Sequence, residues 1–506
     1  MIRKSTQDTA GWRAAAVVIT ALLLLLGSLS SCSAPAGTTP APAGTVAPAS
    51  TTSAPAGNTS APASTTEGGK IDDFVRSEMA RQKIPGVAIA VVRGGEVLRQ
   101  QGYGYANVEL NVPVTADTIF QSGSMGKQFT AAAVMLLVQD GRLNLDDPIA
   151  RYFPGTPPAF RAITVRHLLT HTSGIPDYTT DEFDYRRDYT EDALLRLAFA
   201  QKLEFAPGSR WNYSNTGYAM LGFLIHKVSG RFYGDVLHDR VFVPAGMKTT
   251  RIISEEDIVA NRAAGYRLVK GELKNQEWVA PTLNTTADGS LYYSITDLVA
   301  WDRALRAGAV LQPASWAQVL TPVKLKSGKP YPYGFGWALK PINGHEVNRH
   351  AGSWQGFKTD ILRYPKDGLT VVALCNLGNA NPEKFTDGIV GVLAPDLARP
   401  KPGPIPDQEP AVTARVKQLL EAAARGTLSR EQFAYVRAGF FANAAPRYQE
   451  WLKDAGSPKS VILFQRDELG DDRVYEYEVV YPTTTFRVGL GLAPDNKISQ
   501  FSVAPK

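Results

Sequence analysis

The chain has 506 residues, of which 44% are hydrophobic and 20% are charged, the balance of a globular protein with ample material for a core. Its length exceeds that of one ordinary domain, so we expect two or three structural units. The formal net charge is only +6, and no run of Lys and Arg with interleaved aromatic residues is present. These features exclude a typical nucleic-acid-binding protein, so no nucleic-acid partner is expected.

The N-terminal residues have the layout of a secretory signal. A positively charged start precedes an apolar run over 14–26, which is too short for a comfortable membrane span. The tetrapeptide Leu29-Ser30-Ser31-Cys32 resembles the bacterial lipobox, in which the cysteine is diacylated and becomes the new N-terminus. We therefore expect residues 1–32 to be a lipoprotein signal peptide with Cys32 lipidated. The alternative is an ordinary signal peptide with a chance cysteine.

An exported protein with a lipid at Cys32 belongs to the cell envelope, with the membrane as its partner. Ser33 is not the aspartate that retains lipoproteins in an inner membrane. The expected location is the periplasmic side of the outer membrane if the cell has two membranes, and otherwise the outer face of the cell membrane. The second cysteine, Cys375, lies in an apolar run and is expected to be a buried small hydrophobe without a disulfide.

Composition divides the rest of the chain into four parts. Residues 33–69 are almost wholly Ala, Pro, Thr, Ser and Gly, which predicts a disordered tether. Residues 70–398 form the main domain, residues 399–410 a Pro-rich linker, and residues 411–506 a small α+β accessory domain. The accessory domain has no recognisable motif, and its order of elements is only vaguely similar to that of nuclear-transport-factor-like folds.

The main domain is predicted to be mixed α/β. An amphipathic helix begins near Ile71, and alternating or apolar segments bounded by turn residues predict strands at both ends of the domain. Asn343-Gly344 predicts a tight turn. We expect an antiparallel five-stranded sheet, two strands from the front of the domain and three from the back, flanked by helices, with a mostly helical subdomain between them. Six segments have the pattern of a strand, one more than the five strands expected in the sheet: 87–92, 97–102, 337–340, 345–349, 357–364 and 369–375.

The accessory domain is predicted to contain two helices followed by four strands, because its apolar spacing changes from a helical to a strand period. The predicted helices are 412–425 and 430–438, and the predicted strands are 461–466, 474–481, 485–492 and 498–503.

The first motif that carries chemistry is Ser124-Met125-Gly126-Lys127, before a helix predicted over 128–140. The helix is apolar nearly all round, so it should be buried, and Lys127 shares a face with Ser124. A serine hydroxyl is a weak nucleophile and needs a base to take its proton. Desolvation and the positive end of the helix dipole at a helix N-terminus can lower the pKa of a lysine enough for it to act as that base. Alone the motif is weak, because a capping serine followed by a solvated lysine is common.

Two further motifs follow in order. Tyr213-Ser214-Asn215 places a phenol and an amide before a helix predicted over 216–228, although a buried Tyr beside a capping Asn is also common. His350-Ala351-Gly352 stands at the end of a predicted strand, where Gly352 lets a substrate lie close to the strand backbone. The backbone N–H groups of Ser353 and Ser124 would form an oxyanion hole.

Together, the motifs S-x-x-K, Y-x-N and H-x-G resemble those of the serine β-lactamase and penicillin-binding-protein superfamily, most closely its branch of class C β-lactamases, D-peptidases and esterases. Three other segments are similar as well, and the resemblance covers about residues 71–395. These segments are 163–174, 244–247 and 289–298.

The resemblance implies that Ser124 is acylated and that Lys127 and Tyr213 share the general-base duty. It implies that Asn215 orients this pair and the substrate, and that His350 lines the pocket and shuttles protons or contacts the substrate. Water then releases the acyl group. No cofactor is implied.

Penicillin-inactivating members of the family typically have Lys where this chain has His350, so an esterase or D-peptidase is expected rather than a true β-lactamase. A histidine there would make substrate binding pH-dependent near neutrality. We expect an exported serine hydrolase of small esters or D-amino-acid-containing amides. A peptidoglycan D-alanyl-D-alanine carboxypeptidase or D-aminopeptidase is the alternative enzyme. A non-catalytic envelope sensor that binds cell-wall fragments is the alternative of another class.

His167 and His171 have the spacing of zinc ligands, but no glutamate accompanies them in the metalloprotease pattern, so we expect no metal. Trp211 and Trp354 flank the second and third motifs, and either wall the pocket or pack in the core. The loop 177–189 is expected to shape the pocket.

Overall fold

The computed structural model describes residues 66–179, 183–436 and 439–506. The predicted signal peptide, the lipidated Cys32 and residues 33–65 of the tether lie outside the described residues, so these expectations stay predictions. Within the described ranges, no helix has both the length and the apolar character that a membrane crossing requires.

The helices of the main domain are separated by short turns and loops. The first begins at Glu67, earlier than predicted, because the Thr66 hydroxyl accepts the N–H of Gly69 at 3.1 Å and caps the helix. The α-helices of the described residues are α1 (Glu67–Gln82), α2 (Lys127–Gln139), α3 (Val165–Leu169), α4 (Glu191–Ala200), α5 (Asn215–Ser229), α6 (Tyr233–Leu237), α7 (Val243–Ala245), α8 (Ile295–Arg306), α9 (Pro313–Val319), α10 (Glu383–Leu393), α11 (Pro410–Arg425) and α12 (Ala445–Leu452).

The strands form one large sheet in the main domain, one four-stranded sheet near the C-terminus and several short ladders. They are β1 (Gly86–Arg93), β2 (Glu96–Asn107), β3 (Val112–Pro113), β4 (Phe120–Gln121), β5 (Arg251–Ile252), β6 (Tyr266–Val269), β7 (Glu272–Asn275), β8 (Leu291–Tyr293), β9 (Val323–Lys324), β10 (Pro330–Tyr331), β11 (Asn348–Trp354), β12 (Phe357–Tyr364), β13 (Leu369–Cys375), β14 (Ser460–Leu469), β15 (Asp472–Val480), β16 (Thr485–Leu492) and β17 (Ile498–Pro505).

The large sheet has the order β11-β12-β13-β1-β2-β3, and all neighbouring strands are antiparallel. The mixed α/β class is confirmed, with two long strands from the front of the domain and three from the back. The two-residue β3 adds a sixth strand. Front and back meet between β1 and β13, where Ala90 pairs with Val372. The strand β11 therefore lies at one edge of the sheet.

The predicted tight turn at Asn343-Gly344 is formed. Both residues have positive φ, 48° and 81°, which is the conformation that a two-residue hairpin turn requires. Ile342 and His345 exchange backbone hydrogen bonds of 2.9 and 3.1 Å across it.

The strands predicted on either side of this turn are wrong. The segment 337–340 makes only a single-residue bridge to β11, and the strand predicted over 345–349 is replaced by β11, which begins at Asn348. Pro341 has no N–H and cannot continue the ladder, while β12 pairs with β11 along its whole length. His350 consequently lies inside a strand, and not at the end of one.

Strand β1 shows how the sheet divides the core. Ala88 and Ala90 face the cluster that contains α2 and α5, while Val87, Ile89 and Val91 face the cluster that contains α1 and α10. Because a core cluster covers each face of the strand, side chains on both faces are buried, which explains why the sequence of β1 is continuously apolar. Cys375 packs on the α1 side, fully buried, as predicted for a small hydrophobe.

The helical subdomain is built around α2 and α5. Every residue of α2 from Lys127 to Leu137 is buried, as its apolar sequence predicts. Helix α5 is capped at its start by Ser214, whose hydroxyl accepts the N–H of Gly217, and ends at Gly230 with φ 74°. Its first turn carries Asn215 into the interior.

Residues 410–506, the C-terminal module, form a four-stranded antiparallel meander, β14-β15-β16-β17, with α11 and α12 packed on one face. The four predicted strands are confirmed. The helix predicted over 430–438 is wrong over its described part, residues 430–436, because Phe433 is extended and bridges to Ile498 of β17. Pairing with a distant strand overrides the local helix propensity of this segment. Helix α12 was not predicted.

Candidate active site

Ser124 and Lys127 lie where a short 3-10 turn, Gly123–Gly126, leads into α2. Lys127 is fully buried and Ser124 almost so. The distance from Lys127 Nζ to Ser124 Oγ is 3.1 Å. The pair predicted from the S-x-x-K motif is therefore in direct contact, away from bulk water.

The surroundings of Lys127 favour an uncharged amine. Its Nζ lies 2.7 Å from Asn215 Oδ1, contacts the carbonyl oxygen of Asp288, and faces the rings of Tyr213 and Tyr218 at 4.9 and 5.3 Å from their centroids. Burial lowers the pKa of Lys127 to about 8, although nearby carboxylates oppose the shift. About a tenth of the lysine is then neutral at pH 7, which makes it a usable base.

Asn215 is held in one orientation by Asp177. The carboxylate of Asp177 accepts hydrogen bonds from Nδ2 of Asn215 at 3.0 Å and from its backbone N–H at 3.2 Å. The amide oxygen of Asn215 is left facing Lys127. The second motif thus reaches the lysine as predicted, and Asp177 fixes it there.

Tyr213 lies beside this pair and is buried. Its ring centroid is 4.2 Å from that of His171, and its buried hydroxyl has no hydrogen-bond partner among the described residues. Burial raises the pKa of Tyr213 well above its usual value, with the neighbouring Ser124 hydroxyl opposing the shift. The phenol keeps its proton at neutral pH, which favours a proton relay over a general base.

His350 corrects one expectation. It is fully buried, and burial together with the positive charge of Lys127 lowers its pKa to about 3. Its Nδ1 donates to the Ala351 carbonyl at 2.7 Å, and its Nε2 accepts from the Tyr333 hydroxyl at 2.9 Å. Both ring nitrogens are occupied, so the expected proton shuttling and the pH dependence near neutrality do not fit this histidine.

His350 belongs to a directed chain of neutral groups. The backbone N–H of Ser214 donates to His171 Nδ1 at 3.1 Å, which leaves Nε2 of His171 as the donor to the Tyr333 hydroxyl at 3.2 Å. Tyr333 then donates to His350. Burial lowers the pKa of His171 well below its ordinary value, so neither imidazole is charged. The chain ties the second motif to the third.

Gly352 and Gly123 bring two backbones together. A Cβ on Gly352 would lie 2.0 Å from the Ser122 carbonyl oxygen, and a Cβ on Gly123 would lie 2.3 Å from the Ser353 nitrogen. Only glycine permits this approach of β11 to the Ser124 turn. Gly352 thus serves the packing of the turn against the strand.

The backbone N–H of Ser353 points away from β12, toward the open edge of the sheet. Arg349, on the same edge strand, exchanges its backbone hydrogen bonds outward with Ala338. Alternation along a strand places the N–H of Ser353, four residues on, at that outer edge, beside the turn of Ser124. This geometry suits the predicted oxyanion hole of the two serine N–H groups.

Some residues of the site were not predicted. Tyr333 and Lys358 have no local motif, and their positions depend on chain segments that meet only in the fold. Asp177 was expected only as the first residue of the pocket loop 177–189, without a role of its own. Lys358 on β12 donates to Ser353 Oγ at 2.7 Å and is almost fully buried. Ser353 and Lys358 are cross-strand partners in β11 and β12, and this relation becomes visible only when the strand register is known.

His167 and His171 have separate hydrogen-bond partners. Nδ1 of His167 accepts the N–H of Thr164 in a helix cap, while His171 takes part in the chain to Tyr333. The described ranges contain no group of three or more His, Cys, Asp or Glu placed to hold a metal ion. Trp211 stacks on Tyr331, with ring centroids 4.4 Å apart.

Comparisons with known proteins identify the family of the chain. The β-lactamase family model matches residues 71–394. Penicillin-binding protein 4* of Bacillus subtilis is 32% identical over 57% of this chain and 67% of its own length. A D-aminopeptidase of Gluconobacter oxydans is 28% identical over 61% of this chain and 58% of its own length, so this chain spans less than two thirds of that relative.

A solved structure extends the likeness to three dimensions. The D-amino acid amidase from Ochrobactrum anthropi matches with a TM-score of 0.56 and 28% identity, covering 65% of this chain and 96% of that one. Since the family model matches well over half of the chain, and the relatives include aminopeptidases and amidases, the protein is a serine hydrolase of the β-lactamase family, related to penicillin-binding proteins and D-aminopeptidases.

Proposed function

We propose that the protein hydrolyses D-amino-acid-containing amides and small esters through an acyl-enzyme on Ser124. The observation that carries this proposal is the buried contact of Ser124 Oγ with Lys127 Nζ, in a site where burial lowers the pKa of the lysine to about 8. The names of the relatives support the D-amino-acid class.

In the acylation step, neutral Lys127 takes the proton of Ser124 Oγ as the oxygen attacks the carbonyl carbon. The N–H groups of Ser124 and Ser353 hold the developing oxyanion. Tyr213 gives its proton to the leaving nitrogen or oxygen and regains one from the Lys127 ammonium. The C–N or C–O bond breaks, and the acyl group remains on Ser124.

In the deacylation step, a water molecule gives its proton to Lys127 and attacks the acyl carbon. Collapse of the oxyanion breaks the bond to Ser124 Oγ, which recovers a proton from Lys127. Asn215 keeps Lys127 aligned in both steps, because Asp177 fixes its amide. The products are a carboxylic acid and free enzyme.

The test is labelling of the purified 66–506 fragment with a fluorophosphonate, followed by mass spectrometry. We expect one label, on Ser124, and no label in Ser124→Ala. Turnover is then measured with nitrophenyl esters and with D- and L-alanine p-nitroanilides, where preference for the D-amide supports the substrate class. Absence of both labelling and turnover would instead favour a non-catalytic sensor of cell-wall fragments.

A peptidoglycan D-alanyl-D-alanine carboxypeptidase is the second candidate, favoured by the similarity to a penicillin-binding protein. Release of D-alanine from muropeptides, compared with hydrolysis of the small amides, separates the two activities. The role of Cys32 as a lipid anchor is proposed from the lipobox alone. Loss of membrane fractionation and of fatty-acid labelling in Cys32→Ser tests it.

A further inference from the structure

The turn between β14 and β15 of the C-terminal module lies against the main domain. Gly470, in this turn, is buried with φ 60°, and a Cβ built on it would lie 2.6 Å from Leu325 Cδ1 and 3.5 Å from the ring of Tyr331. Leu469, next to it, packs against the cluster that contains Tyr331 and Tyr333. The hairpin therefore makes a close apolar contact at a defined point of the main domain.

Two ion pairs flank this contact. Asp472 accepts from Arg210 at 3.1 Å, and both side chains are only 21% exposed. Asp467 accepts from Lys340 at 2.5 Å. Both cations belong to the main domain and both carboxylates to the hairpin, so charge complementarity fixes where the hairpin lies. Arg210 also covers the ring of Tyr435 of the module at 5.2 Å.

The residues under the hairpin form an aromatic wall, defined here as Trp211, Tyr331 and Tyr333. The rings of Trp211 and Tyr331 are stacked at 4.4 Å and 11°. Trp211 lies 5.6 Å from Tyr333 and 6.3 Å from Tyr213, measured between ring centroids. Tyr333 in turn holds His350 through its hydroxyl at 2.9 Å. The wall thus lies between the hairpin and the catalytic groups.

The hairpin contacts the chain segments that carry Trp211 and Tyr331. Arg210 immediately precedes Trp211 in sequence, so the ion pair with Asp472 fixes the segment that leads to Tyr213. Gly470 and Leu469 cover Leu325 and Tyr331, which lie in or beside the short β9–β10 ladder. With the hairpin displaced, these apolar and aromatic side chains would be open to water.

We infer that the C-terminal module is a working part of the active site, with its β14–β15 hairpin acting as a positioning element for the aromatic wall and, through it, for Tyr213 and His350. This inference rests on the proposed acylation of Ser124. Catalytic groups must be held within a fraction of an ångström, and a displacement of about 1 Å costs up to about 100-fold in rate.

The first test compares Gly470→Ala with Gly456→Ala. Both glycines belong to the module and have positive φ, 60° and 77°, but a Cβ on Gly456 meets nothing within 4 Å. Local backbone strain is matched, and only the first substitution pushes on Leu325. We expect Gly470→Ala to lower kcat on a nitrophenyl ester by on the order of tenfold with KM little changed, while Gly456→Ala keeps the wild-type rate.

Hydrogen exchange supplies a readout that does not depend on catalysis. The amides of Val323 and Leu325 are bonded to the carbonyls of Tyr333 and Lys329 at 2.9 and 3.0 Å, under the hairpin. We expect faster exchange over residues 323–333 in Gly470→Ala and unchanged exchange in Gly456→Ala. Should the wild type fail to react with any substrate or probe, the proposed function falls, yet this exchange still reports the contact.

The second test exchanges the charges of one ion pair in the full-length protein. Arg210→Asp and Asp472→Arg alone place like charges together, and each is expected to slow both turnover and fluorophosphonate labelling of Ser124. The double variant restores an opposite pair and should recover most of the rate. The inference is overturned if the single variants retain wild-type kcat and exchange, or if the double variant is no better than either single one.

Discussion

The ammonium nitrogen of Lys127 lies 3.1 Å from Ser124 Oγ although the lysine side chain is completely buried. No carboxylate forms a direct ion pair with Lys127 in the described ranges, since its polar contacts are the Ser124 hydroxyl, an amide oxygen of Asn215 and a backbone carbonyl. Desolvation without a counter-charge in contact is what lowers the pKa of a lysine. We therefore expect the protonation of Lys127 to set the pH dependence of the proposed reaction.

The first prediction concerns the rate as a function of pH. Only neutral Lys127 accepts the serine proton, and its pKa is about 8, so kcat/KM should rise with pH and level off above that value. His350, with a pKa of about 3, contributes no step near neutrality. The measurement is kcat/KM on a nitrophenyl ester from about pH 6 to about pH 10, two units on either side of the pKa of Lys127, corrected for spontaneous hydrolysis.

Lys127→Arg is the control for this profile, because a guanidinium keeps a charge of the same sign but does not deprotonate in this range. We expect it to be inactive at every pH. A wild-type profile with its midpoint near pH 6 would point to a histidine as the base and contradict the assignment of Lys127.

A second prediction concerns Asp177, which acts on the site in two ways. Its charge raises the pKa of Lys127, and its oxygens fix the amide of Asn215. Asp177→Asn should therefore move the midpoint of the pH profile below that of the wild type. It should also lower the plateau rate, because an amide at position 177 has one acceptor oxygen where the carboxylate has two, so the bonds from Asn215 and from Thr179 can no longer all be kept. A lower plateau with an unmoved midpoint would show that Asp177 only positions Asn215.

Much of the fold could be predicted from the sequence because its patterns are local. Strand β16 was predicted with its observed bounds, since its alternation and flanking turn residues are decisive. The helix over 430–438 was wrong over its described part because Phe433 pairs with Ile498, a partner 65 residues away that no local window contains. Likewise, the extent of β11 is set by its pairing with β12.

The residues of the candidate site also divide into those that local sequence patterns predict and those that only the fold brings into place. Ser124, Lys127, Tyr213 and Asn215 could be found because they stand in short motifs whose order resembles a family. Tyr333 could not, because its role comes from lying between two histidines of distant segments. The role expected of His350 failed for a related reason: burial and two hydrogen bonds, invisible in sequence, occupy its nitrogens.

A third prediction concerns the buried hydroxyl of Tyr213. Removal of this hydroxyl breaks no hydrogen bond to another described residue that meets normal geometry. Tyr213→Phe should therefore unfold at a denaturant concentration no lower than that of the wild type, while kcat falls about 100- to 10,000-fold because the proton relay is lost. Chemical unfolding and steady-state kinetics measure the two effects. Loss of stability together with activity would mean that the hydroxyl has a structural role instead.

A fourth prediction follows from the cost of burying Lys127. Its pKa is lowered from 10.5 to about 8 on folding, so the unfolded chain binds more protons between these values, and stability rises with pH across that interval. Below pH 8 both states are protonated and the cost, about 3 kcal/mol, is fully present. Lys127→Met should remove this dependence. The measurement is the difference in unfolding free energy between the two proteins, which should be constant below pH 8 and shift in favour of the wild type from 8 to 10.5.

A last prediction tests the close approach that builds the oxyanion hole. In Gly352→Ala the new methyl group would lie 2.0 Å from the Ser122 carbonyl oxygen, so β11 must move away from the turn that carries Ser124. Displacement of the Ser353 N–H should lower kcat by about 100- to 1,000-fold, the effect of losing one oxyanion donor, and overpacking should reduce stability by about 1–3 kcal/mol. Gly391→Ala in α10 is the matched control, because nothing lies within 4 Å of its Cβ, and it should keep full activity. If Gly352→Ala loses stability but retains its rate of Ser124 labelling, the Ser353 N–H does not hold the oxyanion.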